Sequence, residues 1–335
     1  MSNLVENFKE SKIKTITSIY NRLIANINNN YQNSLLYLRR SRINSTQKQS
    51  IINNLNNKYK QSINNLKLSF DNEIQKINSI SENIISTTSE AHTKKALIIG
   101  INYIGTSSRL NGCINDAKSI ETYLKGNDFT SIKLLTDETD IKPTKLNILN
   151  ELKNILETSN KNDTIFIFYS GHGSYTLDRN GDELDGYDEL IVPLDFNYIR
   201  DDDIKAVINT YGKPDTNLIA LFDCCNSGTA LDLKYQILEK LNYDDITENT
   251  RVSETPCNTL FISGCRDEQV SIETTVNNET QGLMTWSFLQ TVSNNNPITW
   301  RNLVKQMREL LKTKSYQIPQ LSSGKLFNPD TNFTL

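Results

Sequence analysis

Glycine and proline are absent from the first 99 residues of this 335-residue chain, since all 13 glycines and all 7 prolines come later. The N-terminal region therefore lacks the two residues that interrupt helices most strongly. Histidine is scarce: His92 and His172 are the only two, which argues against a multi-histidine metal site, and we expect no zinc. The five cysteines are odd in number and do not have the spacing of a disulfide framework, which favours a reducing, cytoplasmic environment.

Long apolar runs are also missing. No stretch of 18 apolar residues occurs, so we expect no membrane span, and residues 1–10 lack the apolar core of a secretory signal. The composition, with 37% hydrophobic and 22% charged residues, is typical of a globular domain in water. We expect no nucleic-acid partner.

Charge divides the chain into two different parts. Residues 1–90 hold 12 Lys and Arg against 6 Asp and Glu, a net charge of +6, whereas residues 91–335 carry −9. In residues 1–90, apolar residues recur at steps of three and four in two series, with a break near residues 41–46. This pattern predicts two long helices in a hairpin or coiled coil, with a surface for self-association. The 18 asparagines of this region leave an alternative, a partly disordered Asn-rich tail.

Residues 91–335 are predicted to form a second domain, in which short apolar runs alternate with amphipathic stretches. The predicted strands are Lys95–Ile101, Ser131–Leu135, Asp163–Ser170, Glu189–Pro193, Asn217–Asp223 and Thr259–Gly264. The predicted helices are Cys113–Lys125, Pro143–Glu157, Asp201–Tyr211, Gly282–Asn294 and Thr299–Lys312. This alternation predicts an α/β fold with a mostly parallel sheet flanked by helices. In such sheets, functional residues collect beyond the carboxyl ends of the strands.

Two of these strands end in residues suited to nucleophilic catalysis. The strand Asp163–Ser170 leads into His172, and the strand Asn217–Asp223 leads into the tandem Cys224-Cys225. If the strands are neighbours, the histidine and a cysteine face each other at one edge of the sheet. A thiol becomes a good nucleophile near neutral pH when a base or cation lies beside it, and histidine titrates in that range. The residues alone leave open which cysteine reacts, because successive residues of a strand point to opposite faces.

Five motifs in order resemble those of the metacaspases, a family of caspase-like cysteine peptidases. They are LNGCINDA (110–117), YSGHG (169–173), DCCNSG (223–228), SGCRDEQ (263–269) and GLMTWSFL (282–289). The resemblance covers residues 94–335 and does not extend to residues 1–90. It implies a caspase-like sheet and hydrolysis of peptide bonds through a thioester, with His172 and Cys225 as the catalytic pair.

The family pattern places the nucleophile at the second cysteine, Cys225, and makes Cys224 a packed neighbour. Asn226 stands where the family usually has histidine. That position is not the base in the family, so we expect activity to be retained. The alternative is a pseudoprotease that keeps His172 and Cys225 for packing only.

The resemblance also implies a class of substrate. In metacaspases an acidic pocket binds the Arg or Lys that precedes the cleaved bond, and the matching positions in this chain are Cys113, Asp116, Ser170 and Asp223. A carboxylate beside the nucleophile suits a cationic side chain, so we expect protein or peptide substrates with Arg or Lys at that position. Asp116 has a second interpretation, as a carboxylate favoured by the start of a helix.

The segment from Asp178 to Asp203 contains ten carboxylates and only two arginines. The negative charges repel one another unless a bound cation or solvent offsets them. An EF-hand is rejected, because the sixth loop position is Glu183 instead of glycine and the flanks do not predict a helix pair. The resemblance implies a regulatory Ca²⁺ instead, and the matching positions are Asp188, Asp201, Asp202 and Asp232. Residues 201–203 can also cap the helix that follows, and the two roles are compatible.

Residues 234–257 form a polar segment that we predict to link a large portion, residues 91–233, to a small portion, residues 258–335. If the enzyme cuts after basic residues, the candidate self-cleavage sites in this segment are Lys234, Lys240 and Arg251. Two other functions stay open. One is a non-catalytic scaffold that oligomerises through its N-terminal helices, and the other is a related Cys/His peptidase of different specificity.

Overall fold

The computed structural model describes most of the chain. The described residues are 2–40, 43–78, 92–178, 186–224, 230–240, 243–264, 273–276, 279–293, 297–312, 314–315 and 317–335. The chain divides into two compact units, Met1–Ala91 and His92–Leu335. Among the described residues, no helix combines the length and the apolar character needed to cross a membrane.

The first unit is a pair of long helices, α1 (Ser2–Arg40) and α2 (Ser45–Asn78), as the apolar spacing predicts. Tyr31 of α1 stacks on Tyr59 of α2 with 4.5 Å between ring centroids. Each hydroxyl donates to an asparagine of the opposite helix, Tyr31 to Asn56 at 2.5 Å and Tyr59 to Asn28 at 2.7 Å. Asparagine, a mediocre helix former, thus contributes to the contact between the two helices.

The second unit is organised by strands, numbered in chain order. They are β1 (Lys94–Gly100), β2 (Ser131–Thr136), β3 (Thr164–Ser170), β4 (Gly173–Leu177), β5 (Tyr187–Ile191), β6 (Ile199–Arg200), β7 (Asn217–Asp223), β8 (Tyr235–Lys240), β9 (Tyr243–Glu248), β10 (Asn258–Ser263), β11 (Glu273–Val276), β12 (Glu279–Gly282) and β13 (Gln320–Ser323). Eight of them form one sheet in the order β2-β1-β3-β7-β10-β13-β8-β9. The first five are parallel, and β13, β8 and β9 continue the sheet antiparallel. The predicted mostly parallel sheet is confirmed.

Helices cover both faces of this sheet. They are α3 (Cys113–Lys125), α4 (Lys145–Glu157), α5 (Asp201–Tyr211), α6 (Leu283–Val292) and α7 (Trp300–Leu311). Alternate residues of β1 enter different core layers: Leu97 and Ile99 pack in the layer that contains α4 and α5, while Ala96 and Ile98 pack in the layer of α3, α6 and α7. Burial on both faces explains why these strands are continuous apolar runs in the sequence.

Helix α4 begins two residues later than the predicted Pro143. Its N-cap is Thr144, whose hydroxyl accepts a hydrogen bond from the Asn147 N–H at 3.3 Å. A side-chain oxygen at the N-cap satisfies an amide that has no partner within the helix, and Ala or Pro does not offer one. The cap, rather than the proline, therefore sets the start of this helix.

The segment 234–257, predicted as a polar linker, contains the strands β8 and β9, which the sequence did not predict. Strand β8 pairs with β13 in the main sheet, with Ile237 opposite Leu321. Ile237 is buried, which anchors the hairpin to the core. A second difference is the small sheet β4-β5-β6, which lies directly after the third main strand in sequence. Its short, half-polar strands carry a weaker pattern than the central ones.

Candidate active site

Strands β3 and β7 are adjacent and parallel, and their last residues, Ser170 and Asp223, are paired in register. His172 follows Ser170 by two residues. Cys225 follows Asp223 by two residues in the sequence but lies outside the described residues, as do residues 226–229. The chain described up to Cys224 therefore leads to the same edge of the sheet as the chain that carries His172.

The His172 ring is fixed by a main-chain carbonyl. Its Nε2 lies 2.7 Å from the carbonyl oxygen of Ser108, in the loop between β1 and α3. Because a carbonyl oxygen only accepts hydrogen bonds, this contact requires the proton on Nε2. In the neutral imidazole, Nδ1 is then the nitrogen whose lone pair can accept a hydrogen bond or a proton.

Two buried tyrosines hold the main chain of His172. Its N–H donates to the Tyr103 hydroxyl at 2.9 Å, and its carbonyl oxygen accepts from the Tyr169 hydroxyl at 2.7 Å. A Cβ on Gly171 would lie 2.7 Å from the Tyr169 hydroxyl oxygen and 3.0 Å from that of Tyr103. Glycine at this position lets the chain pass against both hydroxyls.

Cys224 is 1% exposed and belongs to the same core layer as Tyr169 and Phe222. Its thiol is not part of a disulfide. A buried cysteine of this kind behaves as a small apolar side chain, whereas reactive cysteines are at least partly accessible. This burial fits the packing role that the family pattern implies for Cys224.

Two carboxylates lie beside the paired strand ends. Asp116 accepts from the Ser170 hydroxyl at 2.9 Å and from the Gly282 N–H at 2.9 Å. Asp223 accepts from the Thr285 N–H at 2.9 Å and from the Thr285 hydroxyl at 2.7 Å. Both aspartates are buried, with 1% and 3% of their surfaces exposed.

Gly282 separates these two carboxylates. A Cβ at this position would fall within 3.0 Å of oxygens of both Asp116 and Asp223. The structure thus brings together three of the four predicted pocket residues, Asp116, Ser170 and Asp223. Cys113, the fourth, is buried at the start of α3, the helix that carries Asp116. Sequence reasoning did not single out Gly282 and Thr285, although both lie in the GLMTWSFL motif.

A second acidic cluster lies where β5, the start of α5 and the chain after β7 meet. Carboxylate oxygens of Asp188, Asp201 and Asp202 lie within 4.8 Å of one another, and so do those of Glu189, Asp201 and Asp232. The four residues matched to the metacaspase pattern are therefore brought together in space. Glu189 is an additional member that the sequence did not indicate, since its role depends on strand β5 turning it inward.

Basic side chains of the described residues lie beside this cluster. Arg200 contacts Asp188 at 2.7 Å, and Lys205 lies 3.7 Å from Asp232. Burial, followed by the charge of Asp232, raises the pKa of Asp201 to about 7. Asp202 is half-buried, and the other four carboxylates of the cluster are buried.

The helix-cap interpretation holds for one neighbour of the cluster. The Asp203 side chain accepts from the Arg200 N–H at 3.3 Å and completes a capping box at the start of α5. Asp201 and Asp202 point into the cluster instead.

The five residues of the acidic cluster fit a hard divalent cation, because their donor atoms are carboxylate oxygens, whose negative charge such an ion offsets. The acidic loop before β5 is flanked by the strands β4 and β5 rather than by an EF-hand helix pair.

The candidate self-cleavage residues lie around the β8–β9 hairpin. Lys234 precedes β8 and lies 3.4 Å from Glu248. Lys240 is the last residue of β8, and its side chain lies outside the described set. Arg251 is exposed in the turn that follows β9.

Comparisons with known proteins agree with this geometry. Residues 94–234 match the family model of the metacaspase, peptidase C14 domain. Metacaspase-1 of Meyerozyma guilliermondii is 34% identical over 284 residues, which cover 69% of each chain. Metacaspase-1A of Aspergillus terreus is 35% identical over 281 residues, covering 68% of this chain and 70% of that protein.

Among solved structures, protein GSU0716 of Geobacter sulfurreducens aligns with a TM-score of 0.53 and 20% identity. The alignment covers 71% of this chain and 95% of that chain. This structural likeness shows the fold, whereas the sequence relatives show the family. The identity to the two fungal metacaspases and the match to the peptidase C14 domain show that this chain belongs to the metacaspase family of cysteine peptidases.

Proposed function

We propose that the chain is a calcium-stimulated endopeptidase that cleaves after Arg or Lys, with His172 and Cys225 as its catalytic pair. The observation that carries this proposal is the register of β3 and β7. Because Ser170 is paired with Asp223, His172 and Cys225 each follow a paired strand end by two residues. Membership of a cysteine-peptidase family and the tautomer of His172 support the same assignment.

In the proposed reaction Cys225 Sγ attacks the carbonyl carbon of the substrate bond. Nδ1 of His172 accepts the thiol proton and passes it to the leaving amine as the C–N bond breaks and the thioester forms. Water then adds to the thioester while His172 accepts its proton. That proton returns to the sulfur when the carboxylic acid product leaves.

The preference for Arg or Lys is supported by the buried pair Asp116 and Asp223. The first carboxylate accepts hydrogen bonds from Ser170 and Gly282, and the second accepts from Thr285. Carboxylates beside the strand end that leads to Cys225 give a cationic substrate side chain a charge-assisted contact. An Asp side chain at this position would instead be repelled.

The test uses fluorogenic peptides that end in Arg, Lys or Asp before the reporter. We expect turnover of the Arg and Lys peptides, its loss in Cys225→Ala, and its retention in Cys224→Ala. In Asp116→Asn we expect the preference for Arg over a neutral side chain of similar length to fall by about tenfold or more. Turnover of the Asp peptide would overturn the pocket, and turnover that survives Cys225→Ala would overturn the nucleophile.

Calcium stimulation is supported by the acidic cluster of Asp188, Glu189, Asp201, Asp202 and Asp232. When bound, the ion supplies positive charge that offsets the mutual repulsion of these carboxylates. Asp232 of the cluster follows Cys225 by seven residues in the sequence. This short separation supports a link between ion binding and the activity of the nucleophile.

Calcium binding is tested by calorimetry and by peptide turnover, each with added Ca²⁺ or with chelator. We expect Asp202→Asn to lose both the binding heat and the stimulation. Asp203→Asn is the matched control, because Asp203 caps α5 outside the cluster. Chelator-insensitive turnover in the wild type, or loss of the response in Asp203→Asn alone, contradicts this part of the proposal.

Self-processing is proposed for the segment of Lys234, Lys240 and Arg251. We favour Arg251 as the cleavage site, because it is exposed in a turn, whereas Lys234 lies next to Glu248 and the ring of Tyr235. Intact-mass analysis after incubation with Ca²⁺ should locate a cut after Arg251, which Arg251→Gln removes. Unchanged mass in the wild type contradicts self-processing.

Self-association is proposed for residues 1–90. A groove of about 670 Å³ lies on the helix pair near the connection of α1 and α2, and its lining includes Tyr37, Leu38, Ile51 and Leu55. Tyr37 is 76% exposed. A hairpin buries one stripe of each helix, and a second hairpin would cover more apolar surface in a four-helix bundle. If all peptides remain uncut while the chain still oligomerises, the non-catalytic scaffold is the correct alternative.

A further inference from the structure

We propose that Tyr103 is a positioning residue for His172, holding its main chain through the phenol hydroxyl and its imidazole plane through the phenol ring. This inference rests on the proposed role of His172 as the base. It assigns part of the catalytic geometry to the loop between β1 and α3, residues 101–112, which supplies no atom to the proposed reaction.

The backbone of Tyr103 is in an unusual conformation that its neighbours impose. Its φ is 49°, in the left-handed region that bulky residues seldom adopt. The Asp137 carboxylate accepts from the N–H groups on either side, Asn102 at 2.7 Å and Ile104 at 2.9 Å. Such a conformation costs about 1–3 kcal/mol and persists where the surroundings fix it. In this loop it turns the tyrosine side chain inward, where it is 0% exposed.

The hydroxyl of Tyr103 joins two segments of main chain. It accepts from the His172 N–H at 2.9 Å and donates to the Val192 carbonyl at 2.6 Å. The Val192 N–H in turn donates to the His172 carbonyl at 3.1 Å. Removing the hydroxyl therefore takes this partner from the part-buried His172 N–H and leaves the buried Val192 carbonyl with the weaker contact to the Tyr169 hydroxyl at 3.2 Å.

The ring of Tyr103 supports the imidazole from one side. Its centroid lies 4.7 Å from that of His172, with 35° between the planes. A second contact to the imidazole, from the Ser108 carbonyl to Nε2 at 2.7 Å, comes from the same loop. One loop thus fixes the main chain, the ring plane and the tautomer of His172, which together decide where Nδ1 points.

Two substitutions separate the hydroxyl from the ring. Tyr103→Phe keeps the ring, and we expect kcat to fall by about tenfold with KM unchanged, because the hydrogen bonds to the His172 N–H and the Val192 carbonyl are lost while the Asp116–Asp223 pocket is untouched. Tyr103→Leu also removes the ring, and we expect kcat to fall by about a hundredfold, as for a displaced catalytic group. The difference in kcat between Tyr103→Leu and Tyr103→Phe measures the contribution of the ring.

Nuclear magnetic resonance gives a readout that simple packing does not move. Only His92 and His172 occur, so in a His92→Gln background the remaining imidazole signals belong to His172. We expect a slowly exchanging Nε2–H proton in the wild type, whose exchange with water is faster in Tyr103→Phe and faster again in Tyr103→Leu. Tyr123→Phe is the matched control: it removes a tyrosine hydroxyl from the opposite core layer and should leave turnover and exchange unchanged.

The outcomes distinguish this inference from the proposed function. If His172→Ala retains turnover, the proposed dyad is wrong and the inference is lost with it. If His172→Ala is inactive while Tyr103→Phe has the kcat and the proton exchange of the wild type, the dyad stands and the inference alone is overturned. Should Tyr103→Leu not fold, the Phe variant decides by itself.

Discussion

At the residue scale, Gly171 has no room for a side chain. A Cβ at this position would meet the Tyr169 hydroxyl at 2.7 Å, the Tyr169 ring at 2.9 Å and the Tyr103 hydroxyl at 3.0 Å. Both rings are fully buried, so neither can swing away. The requirement for glycine at this position is steric and concerns the atoms that hold His172.

We therefore predict that Gly171→Ala lowers both stability and activity. The free energy of unfolding should fall by about 1–3 kcal/mol, the usual effect of one extra carbon in a packed core, and kcat should fall because the His172 main chain shifts. Denaturant unfolding and peptide turnover measure the two effects. Gly126→Ala is the control, because Gly126 has a φ of −69° and its Cβ would meet nothing closer than 3.4 Å. Wild-type stability and kcat in Gly171→Ala would contradict the prediction.

At the same scale, the sequence predicted three polar residues of the pocket from short motifs but missed several residues that the fold places in contact with them or with His172. Asp116, Ser170 and Asp223 were identified, and they do lie together with Gly282 and Thr285 around them. Tyr103 and Glu189 carry no local signal, since an aromatic after a strand or one more acid in an acidic stretch is unremarkable. Their contacts depend on loop conformation and strand register, which no short pattern encodes.

At the scale of helices and strands, the sequence predicted the elements whose side chains are buried on one face or on both faces. Helices with one apolar face, such as α3 and α5, were predicted with their observed bounds, and so was the continuous apolar strand β7. Strands β4, β8 and β9 were missed, because edge and half-exposed strands mix polar and apolar residues over few positions. Helix α4 was extended too far towards Pro143 because the Thr144 cap was overlooked.

Asp163 ties together the starts of β1 and β3. Its carboxylate accepts from the N–H groups of Thr93 at 2.9 Å and Asn160 at 2.8 Å, and Lys95 lies at 3.6 Å. Burial alone would raise its pKa, but the hydrogen bonds and the Lys95 charge outweigh burial, and the pKa is lowered. The charged form is therefore favoured in the folded protein, which links the stability of this junction to pH.

We predict that Asp163→Asn removes a stabilisation that depends on pH. A lowered pKa contributes stability above the ordinary aspartate pKa of about 3.9, and that contribution is lost as the pH falls through the folded value. The difference in unfolding free energy between wild type and Asp163→Asn should thus be largest near pH 6 and shrink towards pH 3. Asp140→Asn, at an exposed position, serves as the control. A difference that is constant or grows on acidification would show that the carboxylate charge is not what stabilises the junction.

At the scale of the whole molecule, the division of charge follows the division of structure. The helix pair belongs to the part with a net charge of +6, and the peptidase domain to the part with −9. Among the described residues, those that form the hydrophobic core of the second unit all lie beyond Lys94 in the sequence. Folding of the domain and the proposed self-association are therefore expected to be separable.

This separation leads to the last prediction, for a chain that begins at His92. We expect it to fold, because both core layers and the Thr93–Asp163 contact are retained, and to keep peptide turnover within about twofold of the full chain, a difference under about 0.5 kcal/mol. It should sediment as a monomer at concentrations at which the full chain self-associates. Tyr37→Asp in the full chain is the matched variant, because it places a charge at the exposed groove and should also weaken association without changing turnover. If the shortened chain still associates, the interface lies on the peptidase domain, and if it loses turnover, residues 1–91 contribute to the active site.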